Sequence, residues 1–419
     1  MSSTEKYGIA IDLGTTTIAA ALVETGSGRV LATTGGINPQ RQYGLDVISR
    51  LEYAARSREN LHQLQTLVND ELDRLASGLP ATAGVAAAAV GPVAIAGNPA
   101  MSQLLLGLPV QTLVRPPYRP TDTGAHRLMT SELGWGLDRP LYVFPSPGGF
   151  VGGDTVAFLF GQGVTAGSAA APCLYLDLGT NGEIVLAAGE RLYATSAAAG
   201  PAFEGGNLTC GMAALPGAIS GVAAENGRIR LQTVGDRPPV GLCGSGVLET
   251  IVLLRQEGLL DDTGSLTDPG RADSPLGNML ADSGGERRFV LYRDARTTVA
   301  LTQSDIRQVQ LAKAAVRAGM EVLFHRAGLT AADIGRVVLT GSFGAAISAA
   351  SLVALGVLTP ALAANTGYVR EGALAGAARL VAGGNETGVA ALADELQVIP
   401  LSGTPLFERC FLEQINFPH

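Results

Sequence analysis

The sequence predicts an α/β protein of two similar lobes, each a β-sheet with flanking helices, and three observations predict it. Asp-Leu-Gly-Thr is written twice, from Asp12 in "YGIAIDLGTTTIAAALV" and from Asp177 in "CLYLDLGTNGEIVLAA". Each copy reads as an apolar run, an acid, a Gly-Thr turn and a second apolar run, then a third short run in "GRVLATT" or "ERLYATS". That is a three-stranded meander with an acid at its first hairpin, repeated one domain length apart. The third observation is a late β-run from Val337 to Leu339 ending in Gly341, Ser342, Phe343 and Gly344, behind a long amphipathic stretch.

The first hairpin offers the carboxylate of Asp12 and the turn Gly14, Thr15, Thr16; the second offers Asp177 and the turn Gly179, Thr180, Asn181. Backbone N–H groups and small hydroxyls in such turns suit an anion. Two facing carboxylates would repel a bare phosphate but hold hydrated Mg²⁺, which prefers oxygen ligands and retains waters. The expected ligand is a Mg²⁺-nucleotide polyphosphate in a cleft between the lobes, 1–165 and 166–419, with the last helices packing back across the junction. No G-x-x-x-x-G-K-[ST] or strand–G-x-G-x-x-G–helix unit occurs, which argues against the P-loop and dinucleotide folds.

Between the hairpins, "LDVISRLEYAARSRENLHQLQTLVNDELDRLAS" reads as a helical stretch with its charges outward. The Pro- and Gly-rich segment from Val114 to Pro147 reads as connecting loop with little regular structure. After the second hairpin, Ile306, Val309, Ala312, Val316, Met320 and Leu323 share one face of a long helix that Gly328 stops. Gly341 and Gly344 would let the backbone pass flat against a planar ligand.

Glycine, at 55 of 419 residues, is well above the roughly 7% average usage, as a chain of tight turns requires. A net charge of −8, with no basic patch, excludes nucleic acid and anionic membrane as general partners. The uncharged run between Arg74 and Arg115 is broken by Gly and Pro into pieces shorter than the roughly 20 residues of a membrane span. The N-terminus carries no apolar leader, so the protein is expected in the cytoplasm. Cys173, Cys210, Cys243 and Cys410 form no C-x-x-C pair or ferredoxin-type cluster, and no iron–sulfur cluster is expected on this chain.

The stretches Asp12 to Thr17, Asp177 to Glu183 and Leu339 to Gly344 resemble the two phosphate motifs and the adenosine motif of the actin-like, ribonuclease H-like ATPase superfamily. That superfamily includes acetate and sugar kinases, heat-shock chaperone ATPases and actin. More narrowly, "NPQRQYGLDVISRL", "IAGNPAM", "PSPGGFVGGD", "LDLGTNGEIVL", "AAAGPAFEGGNLTCGMAALPGAI", "GLCGSGVLE" and "FLEQINFP" look like the ATPase region of the reductive activators of corrinoid-dependent proteins.

The resemblance implies that Asp12 and Asp177 hold Mg²⁺ and that the two turns, through Gly14, Thr15, Thr16, Gly179, Thr180 and Asn181, cradle the phosphates of ATP. It further implies that Gly341, Ser342 and Gly344 meet the adenosine and that Asp154, in "GGFVGGDTVAFLFG", orients an attacking water. Lys313 would touch ribose or base, or else simply snorkel to solvent. Glu183 and Glu204 stay open between site and surface roles. The implied function is ATP-dependent reactivation of a corrinoid protein or corrinoid methyltransferase, assisting reduction of Co(II) to Co(I), by a homodimer. Family members begin with a [2Fe–2S] domain, which is not seen ahead of Tyr7, so a separate ferredoxin-like donor is expected. A small-molecule kinase of the same fold and a non-catalytic nucleotide-dependent assembly chaperone are the alternatives.

Overall fold

The computed structural model describes residues 5–115, 118–167, 171–341 and 347–418. The chain divides into two units, the first built from Met1–Ala170, Gly189–Ala194 and Glu371–Val398, the second from Ala171–Ala188, Thr195–Arg370 and Ile399–His419. A division at 165/166 thus falls beside the first crossing, while the late segment Glu371–Val398 rejoins the first unit.

In the first unit, β1 (Tyr7–Leu13), β2 (Thr17–Glu24) and β3 (Val30–Ile37) form the antiparallel meander. Alternation along β1 sends Ile9, Ile11 and Leu13 into the core and leaves Asp12 on the other face, next to the strand end. The helical stretch that follows is two helices, α1 (Val47–Ala55) and α2 (Arg58–Ala83). Ser57 breaks it, its hydroxyl accepting from Asn60 N at 3.1 Å to start α2 afresh. Leu64, Val68, Leu72, Leu75 and Leu79 of α2 bury the helical stripe in the core. Its charges were expected outward, and Arg50 of α1 is the exception, with no exposed surface.

Strand β4 (Val90–Gly97) lies parallel to β1 and leads into α3 (Pro99–Leu106) and the short α4 (Gln111–Val114). The segment expected as irregular loop carries β5 (His126–Met129) and β6 (Pro140–Val143), so the sheet order is β3-β2-β1-β4-β6-β5. Pro140 opens β6, where a missing N–H costs no ladder bond, and Leu141, Tyr142 and Val143 are buried. A four-residue strand among prolines has too short an apolar run to stand out from the loop around it. Helix α5 (Gly153–Gly161) follows.

The second unit opens on the second hairpin, β7 (Cys173–Leu178) and β8 (Gly182–Ala188), with β9 (Arg191–Ala197) next in the chain. Two small antiparallel-rich sheets, β10 (Ala218–Glu225), β11 (Arg228–Thr233), β12 (Gly241–Leu242) and β13 (Leu280–Ser283), β14 (Glu286–Arg293), β15 (Thr298–Thr302), flank α6 (Gly244–Gln256). The long helix is α7 (Gln303–Ala327), started by a Thr302–Asp305 capping box and ended by Gly328 at φ 69°. All six residues of its expected apolar face are buried. Then β16 (Arg336–Thr340) runs parallel to β7, and β17 (Thr366–Tyr368) parallel to β16, with α8 (Ala349–Leu355) and α9 (Pro360–Ala363) between them.

The chain returns to the first unit as α10 (Gly372–Val381), α11 (Glu386–Glu395) and β18 (Leu396–Val398), which pairs with β9 at Leu396↔Leu192, and ends with α12 (Pro405–Glu413). Helix α10 crosses α5 so closely that a Cβ on Gly376 would lie 1.7 Å from the Ala157 carbonyl oxygen. Gly376→Ala is expected to push the helices apart and cost about 2–4 kcal/mol, read as a loss in chemical denaturation. Among the described residues, no helix is long and apolar enough to cross a membrane.

Candidate functional site

In the first unit, the candidate residues form a turn held from behind. Gly14 has no room for a side chain, since a Cβ there would lie 2.5 Å from the Thr17 carbonyl oxygen. Three successive carbonyls of the turn are engaged: Gly14 O by Asn38 Nδ2 at 3.0 Å, Thr15 O by Arg50 Nη1 at 2.6 Å, and Thr16 O by Asn38 N at 2.9 Å. In a trans peptide the N–H points opposite the C=O, so the amides that follow these carbonyls are turned the other way. That is the arrangement an anion-binding turn needs.

Asn98 ties this turn to the start of α3. Its Nδ2 donates to Thr15 Oγ1 at 3.0 Å, while its Oδ1 accepts from Met101 N at 3.0 Å as the cap of α3. A Cβ on Gly152 would lie 2.6 Å from Asn98 Cα and 2.9 Å from Asp154 Oδ1, so the start of α5 is pressed against the start of α3. Asp154 Oδ1 accepts from Thr155 N at 2.7 Å. Burial pushes its carboxyl up to about 6, against the helix-end amide that favours the anion. Asp12, Gly14, Thr15, Thr16 and Asp154 all belong to this unit.

The candidate residues of the second unit differ in chemistry. Asp177 occupies the next-to-last position of β7, as Asp12 does in β1, and is paired across the hairpin with Glu183 and across β16 with Thr340. Directly paired residues project to one face, so two carboxylates share it. Ser196 Oγ donates to Glu183 Oε1 at 3.2 Å. Gly179 N donates to Asn181 O at 3.0 Å to close the turn, and Thr180 Oγ1 donates to Glu204 Oε2 at 2.5 Å. Glu183 and Glu204 both stand beside the second turn.

Gly341, at φ 111°, follows β16, and a Cβ there would lie 2.4 Å from Leu178 O. The backbone expected to meet a planar ligand thus abuts the end of β7. Ser342 and Gly344, named with it, lie outside the described residues.

Lys313 neither reaches out nor snorkels. It is buried on α7, its Nζ donating to Asn416 O and standing 5.3 Å from the Phe417 ring centroid, and burial pushes its pKa down to about 8. Of the cysteines, Cys173, Cys243 and Cys410 are buried free thiols and Cys210 is half-buried.

Sequence reasoning missed Arg50 and Asn38. Nothing in a periodic helix marks one arginine as inward, and an Asn before Pro39 signals only the cap it also makes. The Asn98-Pro99 pair carried the more legible signal, an N-cap followed by proline at the first helical position. The residues present suit a Mg²⁺-nucleotide: a turn a Cβ would fill on one unit, and paired carboxylates beside a Gly-Thr turn on the other.

The family description "RACo middle region" matches residues 7–166, and "C-terminal domain of RACo the ASKHA domain" matches residues 171–419. The chain is 31% identical to the corrinoid activation enzyme RamQ of Eubacterium limosum, over 98% of this chain and 70% of that protein. A [Co(II) methylated amine-specific corrinoid protein] reductase of Methanosarcina barkeri is 28% identical over 44% of this chain and 34% of its own length. Among solved structures, a reductive activator for corrinoid, iron-sulfur protein superposes with a TM-score of 0.86 at 29% identity, covering 100% of this chain and 67% of that one. With both regions matched in order and an actin-like ATPase fold built on two Asp-Leu-Gly-Thr hairpins, the chain belongs to the RACo family of reductive activators of corrinoid proteins.

Proposed function

We propose that this chain is an ATPase that reactivates a corrinoid protein, coupling ATP hydrolysis to return of Co(II) to the Co(I) nucleophile used in methyl transfer. The observation that carries the reading is the pair of hairpins with an acid at the same position in each, in a chain that aligns over 98% of its length with a corrinoid activation enzyme. The amides and hydroxyls at Gly14–Thr16 and Gly179–Asn181 take the phosphates of ATP, and Asp12 and Asp177 hold the hydrated Mg²⁺. Bound Mg²⁺ supplies charge neutralisation on the polyphosphate.

Asp154 orients a water and accepts its proton as the water oxygen bonds to the γ-phosphorus and the β–γ bridging bond breaks, giving ADP and phosphate. Its raised pKa keeps it a useful base near neutral pH. Reduction of Co(II) takes one electron, which a separate low-potential ferredoxin-like donor supplies. A homodimer is the proposed assembly. ATP assists by making affinity for the corrinoid protein differ between nucleotide states.

The test follows Mg-ATP hydrolysis and the cobalt absorption spectrum together, with and without a Co(II) corrinoid protein and a low-potential ferredoxin. Turnover and Co(I) appearing together only in the complete mixture is the expected result. ATP consumption with cobalt unchanged, and a phosphorylated metabolite among the products, would move the assignment to a kinase.

A further inference from the structure

The two turns are written alike in sequence but are backed by opposite charges. Glu204 accepts from the Thr180 hydroxyl of the second turn, whereas a carbonyl of the first turn is held by a guanidinium. Arg50 has no exposed surface; its Nε donates to Gly44 O at 2.8 Å and its Nη1 to Thr15 O at 2.6 Å. Its Nη2 is buried with no hydrogen-bond partner among the described residues. Asp46, the acid that acts on it, is committed to Ser49 N and Oγ, and Arg41 adds a second positive charge nearby.

A fully buried cation with no ion-pair partner is costly, and burial pushes even this guanidine down to about 10. Proteins keep such a group where a bound charge or a fixed geometry offsets the cost. We infer that Arg50 is the positioning residue of the first turn: it fixes the Thr15 carbonyl so that the following amide faces the nucleotide phosphates, and its charge is balanced when that polyanion binds. The inference rests on the nucleotide reading above and assigns the two turns different work. Both turns take phosphate, and the cation-backed one takes the larger share. A hydrogen bond to a carbonyl polarises the peptide and strengthens its N–H as a donor, so the effect passes through the turn without Arg50 touching the ligand.

The experiment is calorimetric titration of the full chain with Mg-ATP and, separately, with adenosine, for wild type, Arg50→Met and Arg50→Lys. Arg50→Met is expected to weaken Mg-ATP by about tenfold or more while adenosine stays within about twofold. Arg50→Lys keeps the charge but lacks the rigid planar fork that fixes both carbonyls, so its Mg-ATP affinity falls between the two. Where the Met variant does not fold, the Lys variant decides on the same contrast. Either variant binding Mg-ATP as tightly as wild type, or losing ATP and adenosine by the same factor, overturns the inference alone. A wild-type chain that binds neither ligand overturns the nucleotide reading and this inference with it.

Discussion

Asp154→Asn is expected to lower ATP turnover on the order of 10²–10³-fold at pH 8 and, in the same variant, to raise the melting temperature. The first effect follows from loss of the proposed proton acceptor; the second follows from loss of a carboxylate that is poorly placed to be charged. Its pKa rises from 3.8 to about 6 in the folded chain because burial disfavours the anion. The stability that the protonated acid leaves in place below about pH 4 is therefore lost as the pH rises through about 6. At pH 8 the asparagine avoids that loss, worth up to about 3 kcal/mol at 1.36 kcal/mol per pKa unit. Differential scanning from pH 5 to 8 should show the variant's advantage large at pH 8 and shrinking as the pH falls through 6. Turnover unchanged from wild type would remove Asp154 from the mechanism, and a variant less stable at every pH would mark the position as one of packing.

Asp177→Asn is the second large effect. Asp177 and Glu183 are direct cross-strand partners, and like charges so placed oppose each other by a few tenths of a kcal/mol up to about 1. In the proposed site, a cation held by Asp177 would turn that liability into binding. The variant should lose on the order of 10²-fold or more in kcat with Mg-ATP, and the upward shift of melting temperature that Mg²⁺ gives the wild type should shrink. Without Mg²⁺ its melting temperature should equal or exceed that of wild type. A full Mg²⁺ shift in the variant would place the metal elsewhere.

The hairpins were legible because Asp12 and Asp177 interrupt apolar runs at the same point, and a turn glycine followed by threonine is a local signal. Helix α7 was legible because its buried face repeats at helical spacing over many residues. Strand β6 was not: a buried four-residue strand takes its identity from its neighbour β4, which sequence does not name. Arg50 was illegible for the same kind of reason. Its inward direction is set by the carbonyls of Gly44 and Thr15, groups every residue carries, so no side-chain pattern announces the contact. The break at Ser57, by contrast, was readable in principle as a cap inside a helical run.

The return of residues 371–398 has a consequence for how the protein is made. Gly8 of β1 lies against Val381, and Ala157 of α5 against Gly376, so the sheet face and the helix carrying Asp154 wait for partners encoded near the end of the chain. As synthesis proceeds, the early half leaves the ribosome with that face uncovered, while nearly all of the second unit is translated before its cover arrives. Such long-range closure is slow and leaves apolar surface open to aggregation. Burial of the helix that carries Asp154 is thus timed by a helix made more than two hundred residues later, and a nascent chain stalled before residue 371 would need a chaperone to hold what it cannot yet bury.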